Sequence, residues 1–321
     1  MKRIRKLISL TILFVFLLPT GVQAAEYLIP GGQIIGIQLE NDTLTVAAFD
    51  DALGANARSA GLQIGDTLLS LNDHPINSPE DIRSALKRVS GEILLTVRRN
   101  GKEKTLTMAP QTSPEGPRLG IYLKQGITGI GTVTWFDPHS GTFGALGHGV
   151  NDGKGHLVSM SRGTAFHAEV ASIKKGLCGQ PGQLKGSTDS FAPWGILLRN
   201  TPQGIFGVTQ EAISGTPVPT ADYTQIRPGS AVIRSAADGR VQEYSVEILK
   251  IYPRDRSDGR NFLLKVTDPA LLEATGGIVQ GMSGSPILQN NAIIGAVTHV
   301  LVNDPTMGYG IFIENMLDAA G

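Results

Sequence analysis

The sequence predicts a mainly β protein in which a small β-rich α+β domain precedes a larger domain of paired β-barrels. Three observations lead there. The 40 glycines are spread through 321 residues without low complexity or a collagen period, so they mark many tight turns. Short β-prone runs follow one another closely, and helical patterns are few and brief. The length exceeds the ~100–200 residues of one domain, and a hydrophobic fraction of 41% is too high for a disordered chain.

Lys2, Arg3, Arg5 and Lys6 precede an apolar run over 7–18, then Pro19, Gly21 and Val22-Gln23-Ala24. A basic start, a short apolar stretch and small residues before a cut after Ala24 make residues 1–24 a signal peptide or an N-terminal anchor. Pro19 and Gly21 interrupt the run before it reaches the ~20 residues of a spanning helix. The remainder is expected to work outside the cytoplasm, free or membrane-tethered, touching the membrane only through the leader. With four cations in the leader, the rest carries 24 basic against 28 acidic side chains, a net of −4. That gives no electrostatic basis for nucleic-acid binding. Cys178 stands alone, which excludes an internal disulfide and a cysteine zinc site; it is expected as a small buried side chain.

In residues 27–111, the runs 34–39 and 44–49 read as strands on either side of Asn41-Asp42. Ser59-Ala60-Gly61-Leu62 and Gly65-Asp66 lead into a strand over 67–71. Ser78 is placed as a helix N-cap, with Pro79 at N1 and Asp81 at N3 in a capping box. Ile82, Ala85, Leu86 and Val89 share one helical face. Asn100-Gly101, between runs 94–98 and 104–108, signals a type I′ hairpin. This segment resembles a bacterial-type PDZ domain, which implies capture of an extended peptide as an added strand. On that resemblance Ile34, Ile35, Gly36 and Ile37 form the carboxylate loop and strand edge, and Ile82 and Leu86 face the groove. Residues 112–117, with two prolines and a glycine, read as a linker.

Residues 118–321 hold β-prone runs at 131–136, 168–173, 194–198, 231–233, 244–251, 262–266 and 293–300, with helical patterns only at 270–274 and 314–320. Strands at this density suggest paired barrels. His148 sits in Gly144-Ala145-Leu146-Gly147-His148-Gly149, and Ser283 in Gln280-Gly281-Met282-Ser283-Gly284-Ser285-Pro286. Glycines beside a serine permit a tight turn and close approach of a substrate backbone, and a serine nucleophile needs a histidine base. The amides of Gly281 and Ser283 could then form an oxyanion hole. An α/β-hydrolase needs an acid and then a histidine after the serine, and only His299 follows Ser283. A subtilisin order built from Asp137 and His148 lacks the helices of that fold. The histidine–acid–serine order of trypsin-like double barrels remains. Asp268 is the leading acid, with Asp152 as its rival and Asp189 third. His139, His156 and His167 show no ligand spacing, so neither a metal nor a cofactor is expected; His299 is expected as a core or wall residue.

Ile29-Pro30-Gly31-Gly32-Gln33, the His148 and Ser283 segments, and Gly295-Ala296-Val297-Thr298-His299-Val300 resemble the stage IV sporulation protein B family, the sporulation signalling serine peptidases of endospore-forming bacteria. The resemblance runs through the whole chain. It implies an endopeptidase exported across the forespore membrane into the intermembrane space, which cleaves itself. It also implies cleavage of a membrane-bound regulator, releasing an intramembrane protease to process a late sigma factor. His148 then matches the base, Ser283 the nucleophile and Asp268 the proposed acid, with the PDZ domain recognising the chain itself or its target. The competing reading is a PDZ adaptor with an inactive peptidase-like domain.

Overall fold

A computed structural model describes residues 26–153, 155–256 and 258–321; the leader read from residues 1–24 lies outside them. No helix among the described residues is long and apolar enough to cross a membrane. Two 16-residue strands, Ile34–Phe49 and Ile121–Phe136, organise the first half of the molecule. Their inner halves pair from Ile34 with Thr132 to Leu39 with Ile127, and their outer halves from Leu44 with Gln125 to Phe49 with Ile121.

The inner halves belong to a closed six-stranded barrel. From Ile121–Phe136 the ring passes through Thr142–Ala145, Gly204–Val208, Gln183–Thr201 and Arg162–Lys174, and returns to Ile34–Phe49. Ile35, Leu39, Val133, Phe136, Phe143 and Trp194 fill it, with the Phe143 and Trp194 rings 4.6 Å apart. The second barrel closes through Gly229–Ser235, Gln242–Ile251, Phe262–Val266, Asp304–Phe312, Ala292–Leu301 and Pro286–Gln289. Ile233, Val246, Leu264 and Ile287 pack there around Phe262 and Phe312, whose rings meet edge to face at 4.7 Å. The final helix, Ile313–Ala320, reaches back to the first barrel, where Arg199 Nη1 donates to Ala320 O. The expected paired barrels are therefore present, with nearly all the runs read as β-prone lying inside them.

Through the outer halves of the two long strands the same sheet extends to Thr67–Leu71, Ile93–Arg99 and Lys102–Met108, covered by helix Pro79–Leu86. Leu44, Leu68, Leu71, Ile82, Leu86, Leu95 and Val97 form its own core. Local signals read from the sequence hold here. Asp81 N donates to Ser78 Oγ and Ser78 N to Asp81 Oδ2, so the capping box is complete. Asn100 and Gly101 both take positive φ, as a type I′ turn requires.

The domain boundaries differ from those expected. The PDZ-like unit is not an N-terminal block joined by a linker; it is inserted in the hairpin between two neighbouring strands of the first barrel. Residues 27–40 are barrel, not PDZ, because Ile35–Leu39 is flanked on both sides by barrel strands. The expected linker is a small hairpin, Gln111–Ser113 with Gly116–Arg118, closed by Ser113 Oγ donating to Gly116 O. Cys178 is exposed in the connection between two first-barrel strands, rather than buried.

Candidate active site

Ser283 and His148 line one cavity of about 510 Å³ at the junction of the barrels, together with Gly281, Thr298 and His299. Each sits on a constrained turn. Gly281 and Gly284 have φ of +100° and +97°, a region that disfavours side chains, and a Cβ on Gly284 would lie 2.0 Å from Thr132 O. Met282, fully buried, anchors the turn between them. On the other side Leu146 and Gly147 take φ of +69° and +68° just before His148. A buried leucine in the left-handed region is strained by on the order of 1 kcal/mol or more, the kind of cost that accumulates at functional sites.

First-barrel residues hold the serine turn. Thr132 N donates to Ser283 O at 2.9 Å, Thr132 Oγ1 to Gly281 O at 2.8 Å and Thr134 Oγ1 to Gly284 O at 2.8 Å. The loop after His148 is held by Asn200, whose Nδ2 donates to Val150 O and Val158 O while its Oδ1 accepts from Val150 N. Sequence reasoning missed all three residues. Asn200 before Thr201-Pro202 reads as ordinary turn chemistry, and the threonines as β-formers.

His148 Nδ1 lies 2.9 Å from Gly149 O. A carbonyl only accepts, so Nδ1 carries the proton and Nε2 keeps its lone pair. Burial holds the pKa of His148 below the ordinary histidine value, opposed by the bond to Gly149. The ring is thus a neutral base at pH 7. Ser283 Oγ donates to Thr298 O at 2.8 Å, so its proton must be redirected before His148 can take it. Among the described residues, the amides of Gly281 and Ser283 have no acceptor, which suits an oxyanion hole.

Asp268 is a correction. Its Oδ1 accepts from Ala270 N and Leu271 N as the N-cap of helix Pro269–Thr275, and its Oδ2 accepts from Ser245 N. Both oxygens serve second-barrel backbone, and the His148 bond that a triad acid would take goes to a carbonyl instead. Asp152, the rival, accepts from His156 N and stands 3.5 Å from His156 Nδ1. His299 lines the cavity that holds Ser283 and His148, its ring centroid 5.4 Å from that of His148, and its buried Nδ1 has no hydrogen-bond partner among the described residues. Burial first, then the charges of His148 and Arg260, push its pKa down to about 4, against the pull of Asp258.

The peptide groove of the PDZ-like unit is also displaced from expectation. Ile82 and Leu86 do line a cavity, of about 650 Å³, with Pro79, Arg83 and Lys87. The facing strand is Gly120-Ile121-Tyr122-Leu123, not Ile34, Ile35, Gly36 and Ile37. All four pair with Gly129 to Thr132 on one side, and Ile35, Gly36 and Ile37 also pair with His167, Phe166 and Ala165 on the other. A strand already flanked twice has no edge for a peptide. Ile37 instead lines the cavity that holds Ser283 and His148.

A family model described as SpoIVB peptidase S55 matches residues 115–317, and a PDZ domain model matches 53–99. The Atu1380 protein of Agrobacterium fabrum and the R01501 protein of Rhizobium meliloti, both provisionally named zinc metalloproteases, are 26% and 29% identical over 52% and 59% of this chain. The chain spans about half the length of these curated relatives, 45% and 50%. Among solved structures, the Rv3671c protease of M. tuberculosis in its active form is similar at 12% identity, over 61% of this chain and 75% of that one, with a TM-score of 0.38. Its inactive form gives 12% identity, 60% and 84% coverage, and a TM-score of 0.35. With the peptidase model matched over more than half its length, this chain belongs to the SpoIVB peptidase S55 family and carries a PDZ domain.

Proposed function

We propose that this chain is a serine endopeptidase in which Ser283 is the nucleophile and His148 the general base. The observation that carries the reading is the single cavity shared by Ser283, a neutral His148 and two acceptor-free amides. Ser283 Oγ attacks the substrate carbonyl while His148 Nε2 takes its proton. The tetrahedral oxyanion is met by the amides of Gly281 and Ser283, and His148 returns the proton to the leaving amine. Water then enters by the same route and releases the acyl group. The Gly149 carbonyl orients the imidazole and faces its charged form, a weaker partner than a carboxylate. The six histidines include no His-Glu-x-x-His pair, so the sequence offers no zinc-protease motif to compete with this site.

The PDZ groove is suited to deliver an extended peptide, adding a strand along the 121–123 edge against Ile82 and Leu86. The family resemblance supports a place in sporulation signalling: export outside the cytoplasm, self-cleavage, and cleavage of a membrane-bound regulator. Intact-mass analysis of residues 25–321 over time, beside the Ser283→Ala chain, tests the activity. Serine-dependent fragmentation is the expected result. If both chains stay whole and a fluorophosphonate leaves Ser283 unlabelled, the adaptor reading takes its place.

A further inference from the structure

We propose that Thr132 is a positioning residue that sets the nucleophile and the base in register with each other. The inference rests on the serine-peptidase reading and adds a residue to it. All three polar groups of Thr132 are engaged at the site. Its N–H donates to Ser283 O at 2.9 Å, its hydroxyl to Gly281 O at 2.8 Å, and its carbonyl accepts from Leu146 N at 3.1 Å. One residue of the first barrel therefore grips the serine turn of the second barrel and the turn that begins two residues before His148. It is 0% exposed, so none of these bonds is exchanged with water.

Ser283 and His148 come from different barrels, and small shifts between barrels would change their separation. Thr132 ties both turns to one rigid strand. Its hydroxyl fixes the carbonyl of Gly281, which lies in the chain between the Gly281 and Ser283 amides, the two oxyanion donors. Gly284 lacks a side chain where Thr132 O comes closest, which lets the strand approach. Loss of the hydroxyl should loosen the donor geometry in the transition state while leaving the groove that binds substrate intact.

The test uses the full chain. Thr132→Val keeps the shape and removes the donor; Thr132→Ser keeps the donor and should restore the rate. Thr209→Val is the control for stability, since Thr209 is a buried threonine beside a first-barrel strand; its hydroxyl donates to Trp194 O at 2.7 Å, and it is not part of the lining of the Ser283 cavity. For Thr132→Val the expected result is a fall in kcat of about tenfold to a hundredfold with KM nearly unchanged, and a matching fall in fluorophosphonate labelling. Thr132→Cys, with a weak S–H donor, serves if the valine chain does not accumulate folded. A normal kcat in Thr132→Val, with stability lost as in Thr209→Val, overturns the proposal and leaves the peptidase reading standing. Failure of the wild-type serine to react at all overturns that reading, and the role of Thr132 with it.

Discussion

Cutting the chain at the boundary its composition suggests should destroy the first barrel. A chain of residues 118–321 keeps the whole segment that reads as peptidase but loses Leu28, Ile29, Ile34, Ile35, Ile37 and Leu39, each 5% exposed or less. At about 1.5–3 kcal/mol per buried side chain, their removal withdraws roughly 9–18 kcal/mol of burial, an upper estimate. Even half of that is comparable to the ~5–15 kcal/mol net stability of a whole domain. It also leaves the facing edges at 163–167 and 127–132 unpaired. Excising the insertion instead, by joining Glu40 to Gly126 through Asn-Gly, keeps every one of those side chains and turns the ribbon into a short hairpin. Thermal unfolding followed by circular dichroism, with fluorophosphonate labelling of Ser283, separates the two chains. The excised chain should melt cooperatively and label; 118–321 should do neither. A cooperative, labelling 118–321 chain would refute the insertion topology.

Three further outcomes follow from the site. Asp268→Ala should cost about 1–2 kcal/mol as a lost helix cap, lowering Tm by roughly 2–8 °C, and Asp268→Asn should cost less. For kcat, Asp268→Asn should fall less than about tenfold, against the ~10⁴ expected of a triad acid, and steady-state kinetics reads the difference. The kcat/KM–pH profile should show an acid limb centred below the ordinary histidine pKa, because protonating the buried His148 removes the base; activity is full at neutrality and lost as pH falls. His299→Gln should leave that limb in place, since the limb belongs to His148, and should make the fold more acid-resistant. The unfolded chain protonates His299 near 6.5 and the folded one near 4, so stability declines as pH falls through that window. Allowing for the solvent that reaches the ring, the effect is on the order of 2 kcal/mol, and urea midpoints at pH 7 and pH 4.5 would show it.

What could be read from the sequence was chemistry that neighbours determine. Ser78-Pro79 with Asp81, Asn100-Gly101, and the glycines around Ser283 each act within a few residues, and each appears where it was placed. The pairing of Ile34 with Thr132 is not local, and a hydrophobic run such as 34–39 is the same whether it edges a PDZ groove or sits mid-barrel. The pattern misleads further because Ile35-Gly36-Ile37 and Leu119-Gly120-Ile121 are near copies, and only tertiary pairing shows which faces the helix. Asp268 was ambiguous in another way. A carboxylate before Pro269-Ala270-Leu271 satisfies the rule for a helix cap as well as the chain order of a triad, and the cap is the local, certain use. Thr132 and Asn200 act through bonds to distant backbone, which leaves no mark on composition or spacing.

The two long strands also bear on the order in which the molecule assembles. Leu39 and Ile127 are 88 positions apart, so pairing them from an unfolded chain carries a loop-closure cost of about 4 kcal/mol. Once the inserted unit has folded and 44–49 lies beside 121–125, only residues 40–43 and 126 separate the ends. The cost then falls to about 1.4 kcal/mol, a gain of somewhat under ~100-fold in the pairing equilibrium. The inserted unit, with its own core and local hairpin, can form first as the chain is synthesised. It thereby acts as an internal template for the barrel around it, and mutations in its core should slow formation of an active site they never touch.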